Sequence, residues 1–299
     1  MNRNFSNFNV PAAIFLTGVT GFLGGAFLSL HTVNQQVVGK LSEPADRPAN
    51  FAIVHADPAN SSVPVLVEGL AGKVESGFVV GGLSSSRAEN LQIAEKTHDG
   101  GVSGVLLSDE ITVATRLTQG CAPVGPVHSI TDAQRNIVLK LDGRPALDVL
   151  KEDVGEKLTR DMQRLGATVF AGLPITGTDT GDYLVRNLVG IDASRGLVAI
   201  GDEAEEGGEL VFCRRDNASA VDDLRGMLDS IKEGLYTKPR GALYFSCLGR
   251  GANLFGPDSE ELKIIQAALG DLPLVGFFGN GEISHNRLYG YTGVLTLFA

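Results

Sequence analysis

Two stretches of this chain carry the same pattern, and that repetition constrains its fold more than any other feature. Between residues 51 and 108 the sequence runs FAIVHADP, an amphipathic segment, FVVGGLSSS, then GVSGVLLS. Between residues 242 and 298 it runs ALYFSCLGRG, an amphipathic segment, LVGFFGNGE, then TGVLTLF. Short unbroken apolar runs bounded by glycine and polar residues fit strands buried on both faces. Recurrence of the whole set in one order marks an internal duplication. The expected class is therefore α/β: two related domains of mixed β-sheets flanked by helices, each built as strand, helix, glycine-ended strand and further strand. AIFLTGVTGFLGG followed by AFLSLH resembles the last two strands of that set, so the first copy reads as cut short at its front end.

The middle of the chain is β-rich. Ile111–Thr118, Asn136–Leu141, Asp182–Ile191, Gly196–Ile200 and Glu209–Cys213 read as strands, with a turn at Asp142-Gly143. Pro145–Leu158 and Asp216–Ile231 fit helices, the second with Asp216 as N-cap. The Gly/Thr-rich stretch Leu173–Asp182 is the best linker, which places the domains at residues 1–174 and 175–299.

Composition narrows the function. Thirty-five acids against 25 bases give a net charge of −10, and no Lys/Arg-rich run appears, so nucleic acid is not an expected partner. Cys121, Cys213 and Cys247 are widely spaced, which points to a reducing compartment and away from a metal finger. The histidines 31, 55, 98, 128 and 285 are scattered, and no metal or cofactor is expected. No apolar run reaches the ~18 residues of a membrane span. Arg3 alone makes a thin basic start for a secretory signal, so the chain is expected in the cytoplasm and off the membrane.

Gly18, Gly21 and Gly24 have the spacing of a dinucleotide-binding turn. The proton relay of the extended short-chain dehydrogenases needs Tyr with Lys four residues on, and none of Tyr183, Tyr236, Tyr244, Tyr289 and Tyr291 has it. The helix expected after such glycines is also poor, so a structural turn is the preferred reading.

Ligands of open α/β sheets bind where strands hand over to loops at their carboxyl ends. Arg250, Asn280, Gly281 and Glu282, beside Cys247, stand at such ends. Arg250 and Glu282 admit two readings: a pair that grips the carboxylate and ammonium of a zwitterion, or a salt bridge to each other. Arg186 and Asn187 interrupt an apolar strand, as a pocket wall or an ion pair, and Arg215 ends a strand before a helix. Catalysis by Cys121 or Cys247 would need a base that lowers the thiol pKa, and His128 lies only seven residues past Cys121.

VVGGLSSS, TQGCAPVGPVHSIT with NIVLKLDGRPALDVL, DYLVRNLVGID, ELVFCRRDNASAVDDL, GALYFSCLGRGANLFG, and LPLVGFFGNGEIS with YTGVLTLF together span nearly the whole chain. In that order they resemble the FIST proteins, with an N-terminal and a C-terminal FIST domain. The resemblance implies a bacterial sensory module for signal transduction that binds a small ligand, an amino acid or a derivative. Nothing resembles the F-box of some eukaryotic relatives, so a stand-alone sensor, or one signalling to a partner protein in trans, is implied. An enzyme (a Cys-dependent hydrolase or a nicotinamide-dependent reductase) and a protein-interaction scaffold are the alternatives.

Overall fold

The computed structural model describes residues 26–33, 36–41, 49–94, 96–155, 158, 162–175 and 182–299. The glycine turn at Gly18, Gly21 and Gly24 and the strand expected at Ala12–Leu16 lie outside these residues. By compactness the chain forms two units, one holding the residues up to Thr118 together with Arg225–Ala299, the other Gln119–Leu224.

In chain order the first unit opens with β1 (Ala26–Val33), β2 (Gln36–Leu41), β3 (Phe51–Ala56), α1 (Val63–Ala71), β4 (Phe78–Leu83), β5 (Leu91–Ala94), β6 (Lys96–Asp99), β7 (Val102–Leu107) and β8 (Val113–Thr118). The second unit contributes β9 (Ala122–Pro123), β10 (His128–Gln134), β11 (Ile137–Leu141), β12 (Arg144–Pro145), α2 (Ala146–Val154), α3 (Met162–Thr168), β13 (Val169–Pro174), β14 (Tyr183–Asp192), β15 (Leu197–Ile200) and β16 (Glu209–Arg214). Helix α4 (Asn217–Glu233) follows. Then come β17 (Gly241–Cys247), α5 (Glu260–Leu269), β18 (Leu274–Gly279), β19 (Glu282–His285), β20 (Arg287–Tyr289) and β21 (Gly293–Phe298).

The duplication is visible in the pairing. β3 runs parallel to β4 and antiparallel to β7, and β1 lies outside β7. β17 runs parallel to β18 and antiparallel to β21, and β8 lies outside β21. The strand orders β1-β7-β3-β4 and β8-β21-β17-β18 are thus one topology used twice. A shared local device supports this. A Cβ on Gly81 of β4 would stand 1.8 Å from the Val54 carbonyl oxygen, and one on Gly276 of β18 would stand 1.7 Å from that of Tyr244. In both copies only glycine lets the second strand approach the first so closely.

Every residue of β3 is buried, which is why it reads as an unbroken apolar run. Ala52, Val54 and Ala56 pack under Val63, Leu66, Val67 and Leu70 of α1. Phe51 and Ile53, on the other face, meet Leu243, Phe245 and Val294 of the second sheet. The copies differ in their hairpins. β5–β6 forms a small sheet of its own, whereas β19–β20 leaves its copy and adds to the edge of the other, β19 pairing β4. These polar hairpins have no long apolar run, and sequence periodicity does not announce them.

The second unit is all antiparallel around its helices. β10 pairs both β11 and β16, so the path β10-β11-β15-β14-β13-β16 closes on itself into a six-stranded ring without free edges. Ile130, Leu141, Val198, Ile200, Leu210 and Phe212 fill its core against Leu147 and Leu150 of α2. The division expected at 174/175 falls between β13 and β14, which pair from Phe170↔Asn187 to Pro174↔Tyr183. The compact units therefore divide elsewhere, because these two strands belong to one ring.

Candidate functional site

The strand ends of the first unit converge as their sequence suggests, but they are sewn together. The Leu83 amide donates to the Gly281 carbonyl (2.8 Å) and the Asn280 amide to the Leu83 carbonyl (3.1 Å). Asn280 Nδ2 donates to the Ser84 carbonyl at 3.0 Å. The amides of Leu248 and Cys247 donate to the carbonyls of Gly279 (2.9 Å) and Thr292 (3.0 Å). Asn280 and Gly281 are thus the stitching of the β18–β19 turn to the end of β4. Cys247 is half-buried, and its carbonyl accepts from the Arg250 amide at 2.8 Å.

Arg250 does not face a crevice. It is 1% exposed, and its Nε donates to Glu261 Oε1 at 2.7 Å from a carboxylate that is itself buried. Its other nitrogens reach the hydroxyl of Tyr244 and both Oγ1 and the carbonyl of Thr118, and the guanidinium lies 5.0 Å from the Phe255 ring centroid. Glu261 accepts further bonds from the Tyr244 hydroxyl (2.6 Å), Ser246 Oγ (3.2 Å) and the Gly251 amide (3.2 Å). A buried ion pair survives only when its remaining donors and acceptors are satisfied, and here they are. Neither sequence reading of Arg250 and Glu282 survives intact: the partner of Arg250 is Glu261, on the first turn of α5. Glu261 shares the buried face of that helix with Ile265, four residues on.

Glu282 is the residue with unmet valence. It is 0% exposed, and its Oε2 accepts from the Thr292 amide (3.2 Å) and Oγ1 (2.7 Å). Its Oε1 is buried with no hydrogen-bond partner. Burial pushes the carboxyl up to about 8, against the pull of the Thr292 bonds and Arg250. His55 stands on the same face. Both residues pair in register with Gly82, from β3 on one side and from β19 on the other. His55 Nε2 is also buried without a partner, and burial drives the imidazole down to about 4. The Phe277 ring sits between them: its Cζ is 3.2 Å from where a Gly82 Cβ would be, and its centroid is 5.0 Å from that of His55.

Arg186, Asn187 and Arg215 belong to the other unit. Arg186 Nε donates to Asp202 Oδ2 at 2.6 Å, which makes it an ion pair. Asn187 is exposed and its carbonyl accepts from the Gly201 amide. The Arg215 guanidinium lies 5.9 Å from the Phe170 centroid. Asp216 caps α4 as expected, exchanging hydrogen bonds with Ser219. Cys121 lies against Tyr183, whose hydroxyl donates to the Cys121 carbonyl at 3.1 Å. His128 likewise belongs to the second unit. It stands on β10 with Nδ1 2.6 Å from Asp142 Oδ2 and Nε2 2.9 Å from Asp153 Oδ2. A cavity of about 240 Å³ lies elsewhere, lined by Leu262, Ile265, Gln266, Leu269 and Leu274 near the start of β18. It contains none of the expected site residues. Among the described residues no cluster of His, Cys, Asp and Glu has the makings of a metal site.

The FIST N domain matches residues 6–144 and the FIST C domain residues 146–285. The chain belongs to the FIST family. The two matches meet near residue 145, whereas the compact units do not divide there: the first unit draws one strand–helix–strand copy from each match. An uncharacterized protein of Mycobacterium tuberculosis (strain H37Rv) is 34% identical over 257 residues, which is 81% of this chain and 66% of that protein. An uncharacterized protein of Mycobacterium bovis (strain AF2122/97) is 34% identical over 273 residues, 86% of this chain and 66% of its own. The chain thus aligns with about two-thirds of the length of these relatives. FIST domains are associated with signal transduction. Among the described residues no helix is long and apolar enough to cross a membrane.

Proposed function

We propose that this FIST chain is a sensory module of intracellular signalling, binding a small amino-acid-like ligand at the strand-end junction of its first unit and passing the change to a partner protein in trans. The observation that carries this reading is Glu282: a fully buried carboxyl with one oxygen saturated by Thr292 and the other unpartnered. Buried polar atoms are ordinarily satisfied, and an exception calls for an occupant or a function. The junction is closed by main-chain stitching and by Phe277, which belongs to an edge strand, so a ligand enters by shifting the junction rather than by filling a standing hollow. Such a shift is what a sensor needs, because a ligand moves an equilibrium only through different affinities for its two states.

The alternatives fare differently. The reductase reading required a helix after the glycine turn, and residues Ala26–Val33 form a strand. An interaction role is compatible with the proposal: among the described residues β18 is an edge strand of its sheet, with Val275 44% and Phe278 43% exposed.

A thermal-shift screen against amino acids and their derivatives tests the reading. A ligand at 100 times its Kd adds about 2.7 kcal/mol, readily seen as a raised Tm. If no amino acid or derivative raises the Tm, the proposal fails.

A further inference from the structure

The duplication supplies an internal control for the open oxygen of Glu282. In the first copy the hairpin between the second and last strands carries Gln92, which is 1% exposed. Its Oε1 accepts from Ser103 Oγ at the start of β7 (3.0 Å), and its Nε2 donates to Ser84 Oγ (3.3 Å) and the Asn90 carbonyl (3.2 Å). In the second copy the hairpin carries Glu282, whose Oε2 accepts from Thr292 Oγ1, next to the start of β21. The first half of the arrangement is therefore repeated. The second half is not: where Gln92 donates, Glu282 presents a bare acceptor. What would complete it is a donor from outside the chain.

The surroundings decide which donor. The nearby guanidinium, Arg250, is taken up by Glu261, Thr118 and Tyr244. The imidazole of His55 is held uncharged by burial. The ring of Phe277 lies over Gly82, between His55 and Glu282 in register. A carboxyl and an aromatic ring suit an ammonium group, by hydrogen bond and by cation–π attraction. Nothing in this set suits a carboxylate. We infer that the junction recognises its ligand through an amine donated to Glu282 Oε1, so that primary amines bind without the carboxylate of an amino acid. This rests on the ligand-binding reading above and narrows it from zwitterions to amines.

The charged groups that act on Glu282 are Arg250, after β17, and Glu261, on α5, while Tyr289 of β20 pairs with it and His55 of β3 shares its face across Gly82. An ammonium binds the ionised carboxyl, so free Glu282 must lose its proton first. Because burial holds the free carboxyl up to about 8, affinity rises about tenfold per pH unit below that value. It levels off above it and falls as an alkyl-ammonium itself deprotonates near about 10.4.

The experiment is calorimetric titration of the whole chain with n-butylamine, leucine, leucine methyl ester and valerate at pH 6, 7, 8 and 9. The expected result is binding of both amines more tightly than leucine, no binding of valerate, and, for n-butylamine, the rise from pH 6 to 8. Glu282→Gln is expected to weaken amine binding about ten- to a hundredfold, the worth of a charged hydrogen bond. The pH profile of the unaltered protein gives the same answer if that variant does not fold. Binding of leucine without binding of either amine overturns this inference and leaves the ligand-binding reading standing. Binding of valerate, or n-butylamine affinity that is flat from pH 6 to 8, overturns it as well. Absence of all binding overturns this inference, and the thermal-shift screen then decides the ligand-binding reading.

Discussion

Glu261→Gln is the most informative single change, because the structure makes Arg250 a structural cation. Arg250 and Glu261 have side-chain exposures of 0% and 3% and an N–O separation of 2.7 Å. Removing one charge of such a pair strands the other in the interior, at about 3–5 kcal/mol. Total stabilities of folded proteins are about 5–15 kcal/mol, so the loss is a large share. Because the urea dependence rises with chain size, a value near the upper end, about 3 kcal/mol per molar, applies, and the midpoint should fall by about 1–2 M. Arg250→Met should cost a similar amount, since it leaves Glu261 as an uncompensated carboxylate beside Tyr244 and Ser246. The double variant Arg250→Met/Glu261→Leu should be more stable than either single one. It removes both charges together and leaves neutral donors short of an acceptor, the hydroxyls of Tyr244 and Ser246 and the Gly251 amide, in place of a stranded charge. The chain contains no tryptophan, so unfolding is best followed by far-ultraviolet circular dichroism with the tyrosine band as a second probe. A midpoint shift under about 0.5 M for Glu261→Gln, or a double variant whose loss equals the sum of the single losses, would refute the reasoning. Arg250 would then be free to serve a ligand after all.

Three further outcomes are expected. His128 is held by Asp142 and Asp153; burial lowers its pKa, but the two carboxylates outweigh burial and the folded value is raised. A raised value means a stabilisation fully present below the unfolded pKa of about 6.5 and lost as pH rises through the folded one; a pH series of Tm values should show this fall, and His128→Asn should flatten it. Gly276→Ala puts a Cβ 1.7 Å from the Tyr244 carbonyl oxygen, so its urea midpoint should drop by the equivalent of about 3 kcal/mol or more, and Gly81→Ala in the other copy should behave alike. Gly69→Ala, on the exposed face of α1 with nothing within 4 Å of the new methyl, should instead raise stability by about 0.5–1 kcal/mol in the same assay.

What the sequence discloses of this fold follows from burial. Strands covered on both faces, such as FAIVHA and ALYFSC, leave unbroken apolar runs that can be recognised and compared, and so the duplication was legible. The ring of the second unit was not. Its strands alternate, as His128–Gln134 does, and its closure depends on the pairing of His128 with Leu210 and Ser129 with Glu209, about eighty residues apart. The site divides in the same way. Proximity of Asn280, Gly281 and Glu282 to Cys247 and Arg250 could be anticipated, because glycine-ended strands of one sheet end together. The partners could not: Glu261 comes from a helix and His55 from the other copy, and neither lies within a local motif of the residues it accompanies.

The asymmetry between the copies explains why only one half of the repeated scaffold holds a buried carboxyl with an open oxygen. The β5–β6 hairpin of the first copy stays apart, and its buried amide Gln92 is closed by its own Ser84 and Ser103. The β19–β20 hairpin of the second copy adds instead to β4, which carries Glu282 into the core between the sheets and places it opposite Gly82. That transfer brings a carboxyl beside an imidazole and an aromatic ring contributed by different strands, with glycine between them to leave the space. It also joins the copies through the strand that bears the open oxygen. A group bound at Glu282 therefore pulls on β19, and β19 is hydrogen-bonded along β4 from Glu282↔Gly82 to His285↔Val79. On the proposed reading, occupancy at this carboxyl would be felt along the seam between the two halves of the duplication.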